Sequence, residues 1–272
     1  MQKIILILSI LLVSNFSFGQ QEFGTHFMNG TWQGYLSNPS ALPSNKITIS
    51  LPSFYGNFGL SNVTYNDIFN TDGTADVNNV ISKLQADNYF KANIALQTFG
   101  IGIRSNRFFI SINHEVHSNN VVNYPKELAQ LVWQGNAQFI GQEISFAPSF
   151  QLTNWQSIGL GVGFQINDMI TVGARIKKLS GLADLSTSPD NYLKLTTSDD
   201  IYQLNMDADF TARTSGILNF NSFSDFSFNP TGLDLSSVSQ LFTKNSWMAF
   251  DLGATVSLGN LSLSASALDI GS

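Results

Sequence analysis

Segment after segment of this chain alternates between large apolar residues and small or polar ones, and that alternation constrains the fold more than any other feature. Ile158, Leu160, Val162, Phe164 and Ile166 are interleaved with Gly159, Gly161, Gly163 and Gln165; Ile170, Val172, Ala174 and Ile176 follow, interleaved with Thr171, Gly173, Arg175 and Lys177. A period of two belongs to a β-strand, whose side chains leave from opposite faces in turn. Asn167 and Asp168 lie between the two runs and predict a tight hairpin turn. The pattern recurs in Leu204, Met206, Ala208 and Phe210 against Asn205, Asp207, Asp209 and Thr211. It recurs again in Phe250, Leu252, Ala254, Val256 and Leu258 against Asp251, Gly253, Thr255 and Ser257. Leu261, Leu263, Ala265 and Ala267 follow after Gly259-Asn260, and earlier Phe108, Ile110 and Ile112 alternate with Phe109, Ser111, Asn113 and Glu115. Weaker candidates at residues 47–51, 54–63, 94–103 and 143–152 bring the expectation to about ten strands. Many are about 9 to 11 residues long, the length a tilted membrane-crossing strand needs.

The chemistry of the two faces separates a membrane barrel from a soluble sandwich. A sandwich turns a face rich in Lys, Glu and Arg to water. Here the polar face is Gly, Ser, Thr, Asn and Gln with scattered charges, and only 12% of residues are charged, against roughly 25% in ordinary domains. Such a face suits an enclosed, hydrated lumen, with the Ile/Leu/Val/Phe face toward lipid. The fold class expected is all-β: an antiparallel transmembrane β-barrel, incomplete in this chain, with one short helix. Trp155, Trp247, Phe250, Tyr55 and Tyr202 fall near strand ends, where interfacial aromatics gather, although ordinary core positions would look the same.

The N-terminus sets the compartment. Lys3 precedes an apolar run from residue 4 to 13, and Ser17-Phe18-Gly19 supplies the small residues of a cleavage site. A signal peptide over residues 1–19 is expected, cut between Gly19 and Gln20, leaving residues 20–272 as the barrel domain. The apolar run is about half of a spanning helix. The chain has no Cys, so disulfides and thiolate-bound metals are excluded, and a net charge of -6 without a basic run argues against a nucleic-acid partner.

A helix interrupts the strands. Asn123, Tyr124 and Pro125 make a start, Leu128, Leu131 and Val132 share one face, Trp133 follows, and Gly135-Asn136 stops the run. It is expected over residues 125–134, folding over a loop, with a lumen plug, rim cover or gate as alternatives. Residues 66–86 read as a long loop with a helical tail, and residues 186–200 and 219–246 as long excursions.

No catalytic residue, cofactor or metal is expected. His114-Glu115-Val116-His117 sets its imidazoles three apart on a strand, hence on opposite faces, where zinc proteases need two His four apart on one helix face. Gly159-Leu160-Gly161-Val162-Gly163 sits inside alternation rather than opening a helix, so its glycines thin one face for neighbouring side chains to fill. Arg175, Lys177, Asp207, Asp209 and Asp251 are the candidate lumen-lining charges, the acids beside the two cations.

Three stretches carry a resemblance. They are Leu36-Ser37-Asn38-Pro39-Ser40-Ala41, then Tyr124-Pro125-Lys126-Glu127-Leu128 with Trp133-Gln134-Gly135-Asn136-Ala137, and finally the run from Val172 to Ala183. Together they resemble domain-of-unknown-function family 5723 of Bacteroidota outer-membrane proteins, and the first is distantly similar to fatty-acid-transporter-like barrels. The resemblance implies the cell outer membrane as location and outer-membrane lipid as partner, and carries no catalytic residue. Leu268-Asp269-Ile270-Gly271-Ser272 lacks the terminal aromatic of a closing strand, so a barrel truncated at its C-terminus is expected. The leading function expected is a passage for small or apolar solutes. The alternatives are a non-conducting structural or secretion-associated barrel that docks a protein through long loops such as 219–242, and a secreted soluble adhesin.

Overall fold

The computed structural model describes residues 25–28, 30–200, 203–216, 218–222, 225–228, 245–259 and 261–271. The expected signal peptide with Gly19 and Gln20, Tyr202, Asn260 and most of the 219–242 excursion lie outside them.

Chain order gives helix α1 (Trp32–Ser37), strands β1 (Ile47–Ser50) and β2 (Ser53–Leu60), and helices α2 (Tyr65–Ile68) and α3 (Val77–Lys83). The hairpin β3 (Asp87–Ser105) and β4 (Phe108–Pro125) follows, then helix α4 (Lys126–Gln134), β5 (Glu143–Ser145) and the hairpin β6 (Ser149–Gln165) and β7 (Ile170–Thr187). Next come β8 (Tyr192–Thr197), β9 (Leu204–Asp209), β10 (Ala212–Ser215), β11 (Leu218–Ser222) and β12 (Asp225–Phe228). A hairpin of β13 (Ser246–Leu258) and β14 (Leu261–Gly271) ends the series.

One antiparallel sheet dominates, in the order β1-β3-β4-β6-β7-β13-β14. β1 pairs with residues 100–103 of β3 and β2 with residues 90–97, so the two make one interrupted edge row. Pro52 stands at the interruption, where an edge tolerates a residue that cannot donate to the ladder. β10 adds to the far part of β7. Among the described strands, the sheet's two edges do not pair with each other. A separate sheet has the order β5-β8-β9, and β11 pairs with β12.

The expected hairpin through Asn167-Asp168 forms, with Gln165 opposite Thr171. Four strands run much longer than their alternation suggested: β3, β4, β6 and β7 have 19, 18, 17 and 18 residues. Alternation fades where both faces become polar, as in Ser118-Asn119-Asn120 of β4, yet the ladder continues there to Pro125. The single strand expected over 143–152 divides into β5 and β6 around Pro148. The helix content exceeds expectation. Besides α4 and α3, which is the helical tail expected in 66–86, there are α1 and α2, each too short to leave a clear 3.6-residue period.

The burial of the sheet is inverted relative to a soluble protein. On one face Asp251 is 0% exposed and Asn113 1%, while on the other Ile110 is 63% and Val162 57% exposed. The short turns at 106–107 and 166–169 and the pairing of Leu258 with Leu261 lie at one end of the strands, because Phe108 pairs with Phe164 and Ile170 with Val256. The exposed apolar face adjoins that turn end. At the opposite end small clusters form: Ile81, Leu84 and Ala129 in one, and Phe139, Ile144 and Leu195 in another. No helix among the described residues is long and apolar enough to cross a membrane.

Candidate functional site

The glycines of the inner face seat a segment from the start of the chain. A Cβ on Gly161 would overlap the Tyr35 hydroxyl, on Gly163 the Leu42 side chain, on Gly173 the Pro39 carbonyl, and on Gly253 the Asn38 side chain. The expectation that these glycines make room for neighbouring groups therefore holds, and the occupant is the 31–43 segment. Thr31 caps α1 by accepting a hydrogen bond from the Gly34 N–H at 3.1 Å. After the helix, Asn38 Oδ1 accepts from the Ser40 N–H at 3.0 Å and from its hydroxyl at 2.7 Å, which turns the chain back across the sheet.

Packing and polar contacts hold this segment together. Trp32, Tyr35, Leu42 and Phe109 form a buried cluster, with the Tyr35 and Phe109 rings edge to face at 4.9 Å. Burial of such side chains stabilises by roughly 1.5–3 kcal/mol each. The Tyr35 and Ser111 hydroxyls are 2.6 Å apart, those of Ser40 and Thr255 2.7 Å, and Ser266 donates to the Ser37 carbonyl at 2.9 Å. Arg104 donates to the Pro43 carbonyl at 3.0 Å. The segment thus ties together strands far apart in sequence.

A charged cluster lies beside it. Arg175 Nε donates to Asp251 at 2.6 Å and Arg175 Nη2 to the Leu36 carbonyl at 2.6 Å, while the guanidinium carbon sits 5.4 Å from the Tyr35 ring centre. Lys177 lies 2.9 Å from Asp251 and 2.5 Å from Asp269, and the Asp269 N–H donates to Asp251 at 2.8 Å. Register explains the meeting: Arg175 is directly opposite Asp251 on the neighbouring strand. Beside the cluster opens a cavity of about 1130 Å³, lined by Leu36 and Ser37 and by residues of β4, β6, β7, β10, β13 and β14.

The sequence candidates separate into two groups. Arg175, Lys177 and Asp251 come together as one network. Asp207 and Asp209 do not join it: they lie exposed on β9, in the three-stranded sheet, with Asp207 opposite Lys194 and accepting from the Tyr192 hydroxyl at 3.4 Å. That proximity pushes the Tyr192 hydroxyl's pKa upward. The acids beside the two cations are Asp251, from the candidate set, and Asp269, from outside it, with Glu115 lining the same cavity. Their identical local alternation hid this, because the partner strand decides which sheet an alternating segment joins.

The helix occupies a different place from the cavity. Pro125 ends β4 and caps α4, and Gly135 stops it with φ of 77°. Ala129 packs into the α3 cluster and Leu131 against the Phe139 cluster, while Trp133 is exposed. None of Pro125, Leu128, Leu131 and Trp133 lines the cavity. The two histidines lie on opposite faces, as their spacing requires. His114 bonds the Thr98 hydroxyl at 2.7 Å and Gln156 at 3.0 Å, and His117 stacks on Trp155 and sits 3.3 Å from Glu115.

Sequence reasoning missed Trp32 and Tyr35 as occupants of the inner face. A signal existed: Phe109 is a large aromatic on a part of the face, near the turns, that is otherwise small or polar, which implies that something apolar covers it. A family model with the description "Family of unknown function (DUF5723)" matches residues 39–272, and the chain belongs to that family. No curated protein and no solved structure matches the chain significantly.

Proposed function

We propose that this member of family 5723 is an outer-membrane β-barrel protein whose inner face forms a passage for small or apolar solutes, closed at the turn end by the 31–43 segment. The carrying observation is the inversion of the sheet, with buried Arg175 and Asp251 on one face and exposed Ile110, Leu160 and Val162 on the other. Water would make that apolar face costly, whereas lipid is its natural solvent. At ~3.4 Å per residue and a tilt of ~40°, the stretch from Met248 to Leu258 rises about 26 Å, against a band of about 25 Å in outer-membrane barrels. Short turns at one end and long excursions at the other match the same architecture.

The enclosed side is suited to polar contents. The Asn113 amide and the Ser157 hydroxyl are buried without a protein hydrogen-bond partner, as in an inner face that expects hydration. The seated segment makes the resting passage narrow, so transport requires Tyr35 and its neighbours to shift. Purified protein in planar bilayers tests this. Low resting conductance that rises when Tyr35→Ala and Trp32→Ala loosen the segment supports the passage, and conductance absent in both forms, with no solute uptake, counts against it.

A second reading is a non-conducting barrel that docks a protein partner. It draws on the far end, where β11 and β12 pair Phe220 with Phe226 and the β5-β8-β9 sheet stands apart from the main one. Deletion of residues 218–228 with loss of a co-purifying protein would favour it. Membrane fractionation separates both from a secreted adhesin, which salt or carbonate would release.

A further inference from the structure

We propose that the cavity above α1 binds small organic cations with an apolar or aromatic body, such as quaternary or protonated amines, and discriminates against carboxylate solutes. This rests on the reading of the inner face as a lumen. The walls supply the body's binding surface. Trp155 on β6 lies opposite Gly181 on β7, and Trp247 on β13 lies opposite Leu179, two positions along. Gly181 keeps bulk away from the Trp247 indole: a Cβ there would already stand in van der Waals contact, 3.9 Å from Asn245 and 4.0 Å from Trp247. His117 stacks on Trp155, whereas Trp247 remains 48% exposed. Leu182 and Leu268 complete an apolar wall.

The charges choose the sign. Glu115, Asp184 and Asp269 line the cavity and Asp251 lies directly behind, against Arg175 and Lys177 as the cations. Both cations bond to Asp251, and their side chains are only 3% and 10% exposed; Lys177 also holds Asp269. The Asp269 side chain is 64% exposed, and half-buried Asp184 accepts from the Thr153 hydroxyl at 3.0 Å. Arg175 Nη1 has no partner, but it is buried behind the network. An entering solute meets the exposed Trp247 indole and the Asp269 carboxylate before the buried cations, and aromatic rings with carboxylates are the combination that attracts ammonium groups. A carboxylate solute would have to break ion pairs to reach Lys177, or leave water entirely to reach the buried Arg175 Nη1.

The test uses the full chain in nanodiscs of the uncharged lipid digalactosyldiacylglycerol, which carries no ammonium group, titrated calorimetrically with phenyltrimethylammonium and with phenylacetate, against empty discs. The expected result is saturable binding of phenyltrimethylammonium at least about tenfold tighter than phenylacetate. Trp247→Ala and Gly181→Leu should each weaken it about tenfold, and Asp184→Asn several-fold, with heat-modifiable gel mobility unchanged. Equal or tighter binding of phenylacetate, no binding of either probe, or cation binding indifferent to all three variants overturns the proposal. Protein that fails to enter bilayers overturns the membrane reading instead, and the same titration on the soluble form still decides the cavity.

Discussion

The same long strands pass through two regions built on opposite rules. In the turn-end half, the outward face is apolar and the inward face is glycine, serine and paired charge, filled by Trp32, Tyr35 and Leu42. In the far half, outward alternation fades, and short helices and a second sheet pack small apolar clusters of the kind a water-soluble domain uses. One continuous ladder joins the halves, so hydrogen bonding does not distinguish them. On the proposed membrane reading, the difference lies in the solvent each half is built for.

Substitutions that act in only one half can break that comparison. The largest effect is expected at Asp251, which is fully buried and bonded to both Arg175 and Lys177. Asp251→Ala leaves two cations without their shared partner and should destabilise by about 3–5 kcal/mol, read as a lowered urea midpoint for refolding into lipid. On the outward side, Val162→Arg places a charge in the apolar band and should cost about 2–4 kcal/mol in lipid. Gln151→Arg, exposed on the far part of the same strand, should be near neutral. Equal costs for the two would erase the distinction between the halves.

Smaller effects sharpen it. Gly161→Val forces a side chain against the Tyr35 hydroxyl and should cost about 1–3 kcal/mol while loosening the seated segment. The measurement is faster proteolysis near Tyr35, with β-content by circular dichroism unchanged. The smallest effect belongs to the far half. Asp67 accepts from the Thr64 hydroxyl at 2.6 Å and from its N–H at 2.9 Å, and these bonds hold its carboxyl below the ordinary aspartate value. The folded pKa is depressed, so this contribution is present above the unfolded value of about 3.9 and lost as pH falls through the lower folded one. An NMR titration should show α2 loosening only in that acidic window, without disturbance of the turn-end half.

Legibility followed the range of the interactions. The β6–β7 hairpin was readable because its alternation and its Asn167-Asp168 turn are contiguous. The shared face of Arg175 and Lys177 followed from simple parity, and the glycine positions correctly implied that something would fill them. The filler itself was hidden, since a six-residue helix carries little periodicity and its contacts lie far along the chain, as with Ser40 and Thr255. Asp207 and Asp209 show the same limit from the other side. Their strand alternates as cleanly as β13, but its partner is β8, and no local pattern encodes that choice.

The orientation of β6 toward lipid is the central claim, and spin-label accessibility in liposomes tests it most directly. The chain contains no cysteine, so single labels can be placed without competing thiols. Labels at Leu160 and Val162 should collide freely with lipid-dissolved oxygen and scarcely with an aqueous nickel chelate. Labels at Asn119 and Thr153, which line the cavity, should show the reverse. A nickel chelate that reaches Leu160 and Val162 as readily as Asn119 would contradict the assignment of the apolar face to lipid.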